Sequence, residues 1–595
     1  MTAPAAPDSA AGANVVAILA EVARRVPARL ALATEDHRGG GRQRASFAEL
    51  WQRVDRASAG LRRLGLEPGE RAIVMIPMSI DLYVVLLALL KLGAAAVFVD
   101  PWIGWRQIAA FAAFAAPRFY AGTPRSHLLR LLSGRLRAIP LTATASRRLG
   151  RLPAAHTLAD LERDEGDGRI APAAADDPAL ITFTSGSSGE PKGANRTHGF
   201  LLAQHRALAA EFPPCEDDVD MPMFPVFALH NLASGISSVV PAMDLRRVDQ
   251  VDAGRILTQM AAHGVTTCTA SPPFFDRIAA ALADKPRRRP ALRRLLSGGA
   301  PVSDAQLAAW QRALPATEVR LVYGSTEAEP VAQITAAERG SLQAAAKAAA
   351  FQSTAAKAAA AFQPTARLGF CVGRPGDQVK ARVIRIHRGP VALGADGWAE
   401  WELPRGEIGE LVVTGDHVGK DYYRNPRAMA ENKIVDRDGT VWHRMGDTGW
   451  LDDAGRFWLA GRVHSTIFRA GQAVHPQLVE QAAQEASASI RRVAAVGLPD
   501  AVLGERVVLV IESPPADLPG AMAQTSRTSR SSPTSPASPA EALRRELADR
   551  LASRGQPVDD VILTRQPLPL DPRHRSKIDY PRLRERLLRA NGARR

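Results

Sequence analysis

Apolar positions in the first part of the chain alternate between helical and strand-like spacing. Residues Phe47 to Leu64 repeat apolar positions at helical spacing, and Asp81 to Leu92 is apolar enough for a buried helix. Arg71 to Ile76 and Ala95 to Val99 are short apolar runs that predict buried strands. This strand–helix–strand rhythm predicts an α/β fold with parallel strands.

The rhythm returns later and places polar turns after strands. Ala179 to Thr184 predicts a strand before a Gly/Ser loop, and Val319 to Tyr323 predicts one that runs into Gly-Ser-Thr-Glu. Thr197 to Glu211 and Pro273 to Ala283 have the pattern of helices, and Val265 to Ala270 that of a strand. Because ligands bind beyond the carboxyl ends of strands in open α/β sheets, these turns are candidate sites.

Two segments of low complexity and one change of composition suggest how the chain is organised. Residues 344–365 hold a near-repeat rich in Ala and Lys, which favours a surface helical insertion over a partner-binding helix. Residues 513–540 are rich in Ser and Pro and predict a flexible insertion. We predict a large N-terminal domain over 1–461 and a small mobile α+β domain over 462–595.

Composition and charge change this picture little. The chain has 595 residues, 46% hydrophobic and 23% charged, as in ordinary globular proteins. Lys and Arg number 76 against 61 Asp and Glu, but nearly all the cations are arginines spread along the chain. Without a zinc-finger or other nucleic-acid-binding motif, we expect no nucleic-acid partner. The nine lysines stand out against this background, because arginine does not replace a compact ammonium everywhere.

Cysteines and apolar runs bear on the compartment. Cys215, Cys268 and Cys371 lie far apart, which argues against a disulfide framework or a cysteine-ligated zinc site. The longest strongly apolar run, Leu82 to Leu90, is too short to span a bilayer. The first residues also lack a signal-peptide pattern. We therefore expect a cytoplasmic protein without a transmembrane segment.

The most specific motif is the stretch from Ile181 to Gly193, with the sequence ITFTSGSSGEPKG. A strand feeds a loop of Gly and hydroxyl residues that ends near Lys192, a composition suited to cradling phosphate. The pattern is neither a Walker A loop nor a nucleophile elbow. A generic flexible turn is the alternative interpretation.

Three further motifs are ambiguous alone. Val322 to Glu327 puts an aromatic ring, a tight turn and a carboxylate at a strand end, and Ser297 to Pro301 is a second turn that would wall the same site. Trp442 to Trp450 contains Asp447, which would accept hydrogen bonds from a ribose or cap an ordinary turn. Pro569 to Asp579 contains Lys577, on what would otherwise be a solvated tail.

In this order, the motifs resemble those of the ANL superfamily of adenylate-forming enzymes, from about residue 13 to residue 588. The resemblance implies that ATP, Mg²⁺ and a carboxylic acid bind between the two domains. It implies catalytic roles for Lys577, Glu327 and Thr184, with Glu327 and Thr184 also at the metal. The implied ATP-binding residues are Ser185, Gly186, Ser187, Lys192, Gly298, Gly299, Ala300, Tyr323, Gly324, Thr326, Asp447 and Arg462. Lys577 would bridge the substrate carboxylate and the α-phosphate.

The chain departs from the family pattern around the predicted hinge. After Gly461-Arg462, His464 stands where the family usually has Asp, and Phe468 where it has Lys. In CoA ligases this segment shapes the thioester-forming site. The departure therefore argues against CoA transfer while leaving adenylation intact. We interpret His464 as a tolerated hinge substitution rather than a catalytic residue.

A narrower resemblance fits these departures. The segments 223–229, 237–244, 421–426, 443–447 and 571–578 resemble the β-lactone synthetases of bacterial olefin biosynthesis. This resemblance implies adenylation of a long-chain 2-alkyl-3-hydroxy acid, after which its own hydroxyl displaces AMP and closes a β-lactone. The implied substrate pocket includes Phe227, Leu229, His230 and Leu232, although core packing explains the apolar members equally well.

Two alternatives remain at this point. One is a fatty-acid–CoA ligase or fatty-acyl-AMP ligase, and the other is a non-catalytic paralogue that binds a nucleotide or an acyl chain. The presence of Glu327, Asp447 and Lys577 argues against the second. Assembly with other enzymes of a hydrocarbon pathway is a further expectation that the resemblance carries.

Overall fold

A computed structural model of the chain describes residues 13–35, 41–99, 105–145, 154–185, 191–245, 247–284, 289–356, 369–486, 490, 492–512, 539–553, 556–571 and 577–592. Within these ranges the strands form sheets of seven, fourteen and five strands. The two larger sheets and their helices build the N-terminal part, and the small sheet belongs to the C-terminal part.

The elements up to residue 197 are α1 (Val16–Arg25), β1 (Leu30–Glu35), β2 (Arg42–Ser46), α2 (Phe47–Arg63), β3 (Arg71–Met75), α3 (Ile80–Leu92), β4 (Ala95–Phe98), α4 (Trp105–Ala115), β5 (Phe119–Gly122), α5 (Pro124–Leu131), α6 (Gly134–Arg137), β6 (Leu141–Thr144), β7 (His156–Thr157), α7 (Leu158–Leu161), β8 (Pro178–Ser185) and β9 (Pro191–Thr197). Strands β3 to β9 form the seven-stranded sheet in the order 7-6-5-3-4-8-9, parallel except for the β8–β9 pair.

Local sequence signals explain where α2 begins and why α3 is buried. Ser46 caps α2 in a capping box with Glu49. Helix α3 is buried along nearly its whole length, as its apolar sequence predicts. It carries Lys91 into the interior, where the ammonium lies 2.7 Å from an Asp55 carboxylate oxygen. A buried lysine needs such a partner because desolvating an unpaired charge is costly.

The middle of the chain contains α8 (His198–Glu211), β10 (Val219–Pro222), α9 (Pro225–Ser234), β11 (Ser237–Val240), α10 (Ala253–His263), β12 (Thr267–Ala270), α11 (Pro272–Asp284), β13 (Arg294–Gly298), α12 (Asp304–Ala313), β14 (Glu318–Ser325), β15 (Ala328–Thr335), α13 (Ala336–Ala356), β16 (Phe370–Pro375), β17 (Lys380–Ile384), β18 (Gly409–Thr414), α14 (Pro426–Asn432), β19 (Lys433–Val435), β20 (Val441–Leu451) and β21 (Phe457–Arg462). With β1 and β2, these strands form the fourteen-stranded sheet, in which β10 to β14 run parallel.

The C-terminal part contains β22 (Ile467–Arg469), β23 (Gln472–Val474), α15 (Pro476–Ala486), β24 (Arg492–Asp500), β25 (Gly504–Glu512), α16 (Pro539–Ser553), β26 (Asp560–Thr564) and α17 (Tyr580–Gly592). Its sheet has the order 23-22-25-24, and β26 pairs with β25. The large sheet thus ends at Arg462 and the small sheet begins at Ile467, while the domain division after residue 461 stays a prediction.

The predicted α/β fold with parallel strands is confirmed, as are the individual helices and strands named from sequence. The predicted helix over the Ala/Lys repeat is observed as the end of α13, up to Ala356. The rest of the repeat, 357–365, and residues 513–538 of the Ser/Pro segment lie outside the described residues.

Candidate active site

Two turns follow the neighbouring strands β13 and β14 at the same edge of the large sheet. The strands are parallel with Gly298 opposite Val322, so Gly298–Ala300 and Tyr323–Glu327 lie side by side. A Cβ at Gly298 would lie 2.9 Å from the Val322 carbonyl oxygen, and Gly299 has φ +83°. Glycine meets both demands, because it has no Cβ and tolerates positive φ. The structure therefore brings the two predicted adenine-pocket segments together.

Asp447 is the centre of a polar cluster drawn from three strands. The Tyr323 hydroxyl on β14 donates to Asp447 Oδ2 at 2.8 Å. Arg462 Nε lies 2.7 Å from Asp447 Oδ1, because β20 and β21 pair with these two residues opposite each other. Burial and the nearby Asp447 carboxylate raise the pKa of Tyr323 well above its usual value, so the phenol keeps its proton and donates.

The turn that carries Gly324 and Thr326 is held by a cation from another strand. Arg196 is buried on β9 and donates to the Thr326 carbonyl oxygen from Nε at 3.0 Å and from Nη2 at 2.7 Å. The backbone of this turn is therefore fixed against the β8–β9 hairpin, on the strand that also carries Lys192.

Glu327 lies in the turn immediately before β15, where two residues of segment 418–423 hold it. The Tyr422 hydroxyl donates to Glu327 Oε1 at 3.0 Å, and the Gly419 N–H donates to the Glu327 carbonyl oxygen at 2.7 Å. Tyr423 N donates to the Gly193 carbonyl oxygen at 2.8 Å. Segment 418–423 therefore joins the candidate metal carboxylate to the hairpin below the predicted phosphate loop.

The side chains around Glu327 stabilise its charge. Burial alone would raise the pKa of Glu327, but His443, Lys433 and the Tyr422 hydroxyl together hold it below its usual value. Burial lowers the pKa of His443 to about 3, so this imidazole is neutral near pH 7. Burial lowers the pKa of Lys433 to about 8, which leaves its ammonium charged at that pH. The positive charge beside Glu327 is therefore that of Lys433.

Lys192 is the described side chain of the predicted phosphate loop. Its Nζ lies 3.4 Å from Asn432 Oδ1 and 3.5 Å from Glu431 Oε2, both at the end of α14. Thr184 and Ser185 end strand β8, with Thr184 opposite Lys192 in the hairpin. Gly186 and Ser187 lie outside the described residues. The roles of these five residues stay predictions.

A cleft lies among α1, α3, α8 and α9. Most of its lining is apolar, including Leu229 and Leu232 of the predicted substrate pocket. Its wall also includes Leu208, which packs with Phe227 and with Val322 of β14. Three of the four predicted pocket residues therefore line this cleft, and Phe227 packs immediately behind it.

Two histidines, together with Gln204, form the polar part of this wall. His205 Nδ1 and His230 Nδ1 lie 3.1 Å apart, and His230 is a predicted pocket residue. Burial lowers the pKa of His205 to about 4 and that of His230 to about 3, so both rings are neutral near pH 7. A neutral imidazole carries one N–H, so one Nδ1 donates to the other. The two Nε2 atoms are then one donor and one acceptor.

Lys577 and the hinge residues belong to the C-terminal part. The Asp571 N–H donates to the Lys577 carbonyl oxygen at 2.8 Å, next to a bridge between Leu570 and Ile578. In the hinge segment, Arg388 donates to the Thr466 carbonyl oxygen at 2.7 Å and its guanidinium lies 5.1 Å from the Phe468 ring centroid. An aromatic ring thus packs on Arg388 where the family usually has a lysine.

Sequence reasoning missed the residues that support the predicted ones. Arg196, Tyr422 and Lys433 hold Thr326 or lie beside Glu327, and none was singled out for a role. The scarcity of lysine is the one sequence signal that points to Lys433, because arginine supplies most of the positive charge in this chain. No sequence signal pointed to Arg196 among so many arginines.

Comparison with known proteins identifies relatives of this chain. Residues 19–423 match the family model described as AMP-binding enzyme. The chain is 34% identical over 502 residues to an olefin beta-lactone synthetase of Stenotrophomonas maltophilia, covering 82% of this chain and 85% of that protein. A second olefin beta-lactone synthetase, from Xanthomonas campestris pv. campestris, is also 34% identical and is covered to 84%.

Solved structures share the fold. ATP-bound MatB from Rhodopseudomonas palustris superposes with a TM-score of 0.72 at 21% identity, over 97% of this chain and 99% of that one. None of the helices in the described ranges combines the length and the apolar character needed to cross a membrane.

Proposed function

The chain belongs to the family of AMP-binding enzymes, and we propose that it activates a long-chain 2-alkyl-3-hydroxy acid with ATP and closes the product to a β-lactone. The observation that carries this proposal is the similarity to two olefin beta-lactone synthetases across 82% of the chain. The departures at His464 and Phe468 support it, because the hinge lacks the residues typical of CoA ligases.

The first step is adenylation. A carboxylate oxygen of the acid attacks the α-phosphorus of ATP, and the bond to the leaving pyrophosphate breaks. Negative charge concentrates where carboxylate and phosphate meet, so positioned cations stabilise the transition state. We assign Lys192 to the phosphates and Lys577 to the junction of the carboxylate and the α-phosphate.

The nucleotide is assigned to the cluster around Asp447. Tyr323 and Arg462 donate to the two oxygens of the Asp447 carboxylate. These oxygens are also able to accept hydrogen bonds from the two hydroxyls of a ribose. Adenine would lie against Gly298 to Ala300 and Tyr323, with Gly324 allowing the close turn. Thr326, whose backbone Arg196 holds, is assigned to the α-phosphate side.

The Glu327 carboxylate fits a divalent cation of the Mg²⁺ type. Its pKa is held low, so it is ionised at neutral pH and offers a hard oxygen ligand. The described residues hold no group of three or more His, Cys, Asp or Glu able to bind a metal. One carboxylate suits Mg²⁺, which binds through one or two carboxylates plus substrate phosphates and water. Bound Mg²⁺ supplies charge stabilisation, and Thr184 is a proposed second ligand.

The second step is closure of the ring. The 3-hydroxyl oxygen attacks the acyl carbon, the bond to AMP breaks, and the hydroxyl proton is released. Tethering the nucleophile to the reacting acyl group makes an external thiol unnecessary. We assign an alkyl chain of the substrate to the cleft lined by Leu229 and Leu232. The His205–His230 pair supports a hydroxylated substrate, because its donor and acceptor match a hydroxyl group.

We also propose that the enzyme is cytoplasmic and assembles with other enzymes of hydrocarbon synthesis. A cytoplasmic location is supported by the three free cysteines, Cys215, Cys268 and Cys371. Assembly with other enzymes of hydrocarbon synthesis would pass on a long-chain lactone that dissolves poorly in water.

The test is a product assay with purified protein, ATP, Mg²⁺ and a 2-alkyl-3-hydroxy acid in the absence of CoA. We expect lactone, AMP and pyrophosphate in equal amounts. The matched control is the same acid without its 3-hydroxyl, which should release pyrophosphate without forming lactone. Thioester formation from simple fatty acids and CoA, with no lactone from the hydroxy acid, would contradict the proposal. Absence of pyrophosphate with either acid would contradict adenylation itself.

A further inference from the structure

Lys433 is a buried lysine for which the proposed reaction has no role so far. It begins β19, directly after α14, and its residue is only 3% exposed. Lysine is almost never fully buried unless its charge is paired. Lys433 is therefore shielded from water at the edge of the candidate metal site.

The Lys433 ammonium has two close neighbours, both in segment 418–423. Its Nζ donates to the Gly419 carbonyl oxygen, and it lies 5.2 Å from the centroid of the Tyr422 ring. The second distance is within the range in which the face of an aromatic ring attracts a cation. Lys433 therefore fastens both ends of the short stretch from Gly419 to Tyr422.

These two neighbours are the same residues that hold Glu327. The Gly419 N–H donates to the Glu327 backbone oxygen, and the Tyr422 hydroxyl donates to its carboxylate. One side of each neighbour thus contacts Lys433 and another contacts Glu327. Two chains of contact therefore connect the ammonium to Glu327, one through the Gly419 backbone to the Glu327 carbonyl oxygen and one through the Tyr422 phenol to the carboxylate.

The charges around Lys433 agree with this arrangement. Glu327 and Asp421 are the acidic groups whose charges act on Lys433, and His443 is neutral beside them. Removing the Lys433 charge would leave the Glu327 carboxylate with a weaker counter-charge and a looser backbone.

We propose that Lys433 is a positioning residue, which fixes the Glu327 carboxylate through Gly419 and Tyr422 for a divalent cation bound together with the ATP phosphates. The inference rests on the proposed role of Glu327 as a metal ligand. Lys433 is assigned no contact with the substrate. Partners of metal ligands typically account for 10- to 100-fold in metal affinity.

The experiment titrates Mg²⁺ into the full-length protein with a non-hydrolysable ATP analogue and no acid, so that binding is measured without turnover. We expect Lys433→Met to raise the Mg²⁺ concentration for half-saturation about tenfold. Binding of the analogue at saturating Mg²⁺ should stay unchanged. The matched control is Lys380→Met, because Lys380 is an exposed residue on β17.

Tyr422→Phe provides a second variant in case Lys433→Met does not fold. It keeps the ring under the ammonium and removes only the hydroxyl that reaches Glu327, so we expect a smaller shift in the same direction. The double variant should shift the requirement by less than the two single effects combined, because both changes interrupt the route through Tyr422.

An unchanged Mg²⁺ requirement in Lys433→Met and Tyr422→Phe, together with a raised one in Glu327→Gln, would overturn this inference alone. If Glu327→Gln also leaves the requirement unchanged, the assignment of the metal to Glu327 fails and the inference fails with it. If Lys380→Met raises the Mg²⁺ concentration for half-saturation as much as Lys433→Met does, the inference is overturned as well. Loss of any lysine charge would then explain the weaker Mg²⁺ binding.

Discussion

Glu480 is a carboxyl group that the C-terminal unit, which follows β21 and runs to residue 592, holds away from water. On α15, it accepts the Tyr580 hydroxyl at 2.8 Å and the Ala495 N–H at 2.9 Å. Burial raises its pKa to about 8, although both hydrogen bonds oppose that change. The side chain is therefore protonated in the folded protein at a pH where an ordinary glutamate is ionised.

This residue predicts a pH dependence of stability. Between about pH 4.5 and 8 the folded protein holds a proton that the unfolded chain has lost, so folding stability from Glu480 falls as pH rises. Glu480→Gln removes this titration, and we expect its unfolding free energy to improve relative to the parent from about pH 5 to 8. Urea unfolding at several pH values measures the unfolding free energy of both proteins. Parallel pH profiles for the two proteins would contradict the expectation.

At the scale of elements, α9 connects the candidate active site to the cleft. It begins with Pro225, whose fixed φ suits a first helical turn, and is capped after Ser234 by Gly235 with φ +77°. Leu229 and Leu232 line the cleft, and Phe227 packs with Val322 of β14. One short helix therefore contacts both the strand that carries Tyr323 and the proposed alkyl site.

A substitution in α9 should change the preference for chain length. Leu229→Trp fills part of the cleft, so we expect kcat/KM for a long-chain hydroxy acid to fall about tenfold relative to a short-chain one. Pyrophosphate release with acids of increasing length measures this ratio. The matched variant Leu229→Ala enlarges the cleft and should not penalise the long chain. Identical chain-length profiles for both variants would place the alkyl chain elsewhere.

At the scale of the whole molecule, the site depends on two units with separate sheets. The C-terminal unit packs on the large sheet through a hydrogen bond of 3.2 Å between Thr448 and His475, and through the Arg388 contact with Thr466. Lys577 lies in this unit, whereas Asp447 and Glu327 lie in the large one. Adenylation would therefore need both units together, which makes the site complete only in one arrangement.

Lys577→Ala should separate the two steps of the reaction. We expect pyrophosphate release to fall at least about a hundredfold, the size typical of losing one group that stabilises developing charge. Lactone formation from a supplied acyl-adenylate should persist, because that step needs no new phosphate bond. The control is Arg582→Ala, an exposed residue of α17 in the same unit. Unchanged pyrophosphate release would remove Lys577 from the proposed mechanism.

The sequence by itself determined the elements and the candidate motifs. Strands β3, β4, β8 and β14 and helices α2, α3 and α8 follow from apolar spacing, because that pattern is local and directly reflects which face is buried. The ordered motifs also sufficed for the family resemblance, since each consists of neighbouring residues.

Only the tertiary structure decided which side chains meet. Tyr323 and Asp447 are 124 positions apart, and Glu327 and Tyr422 are 95 apart, yet each pair is joined by a hydrogen bond. The Lys433 contacts and the cleft among α1, α3, α8 and α9 likewise depend on how distant elements pack. Spacing along the chain carries no information on such contacts, because sheet order and helix packing bring the partners together.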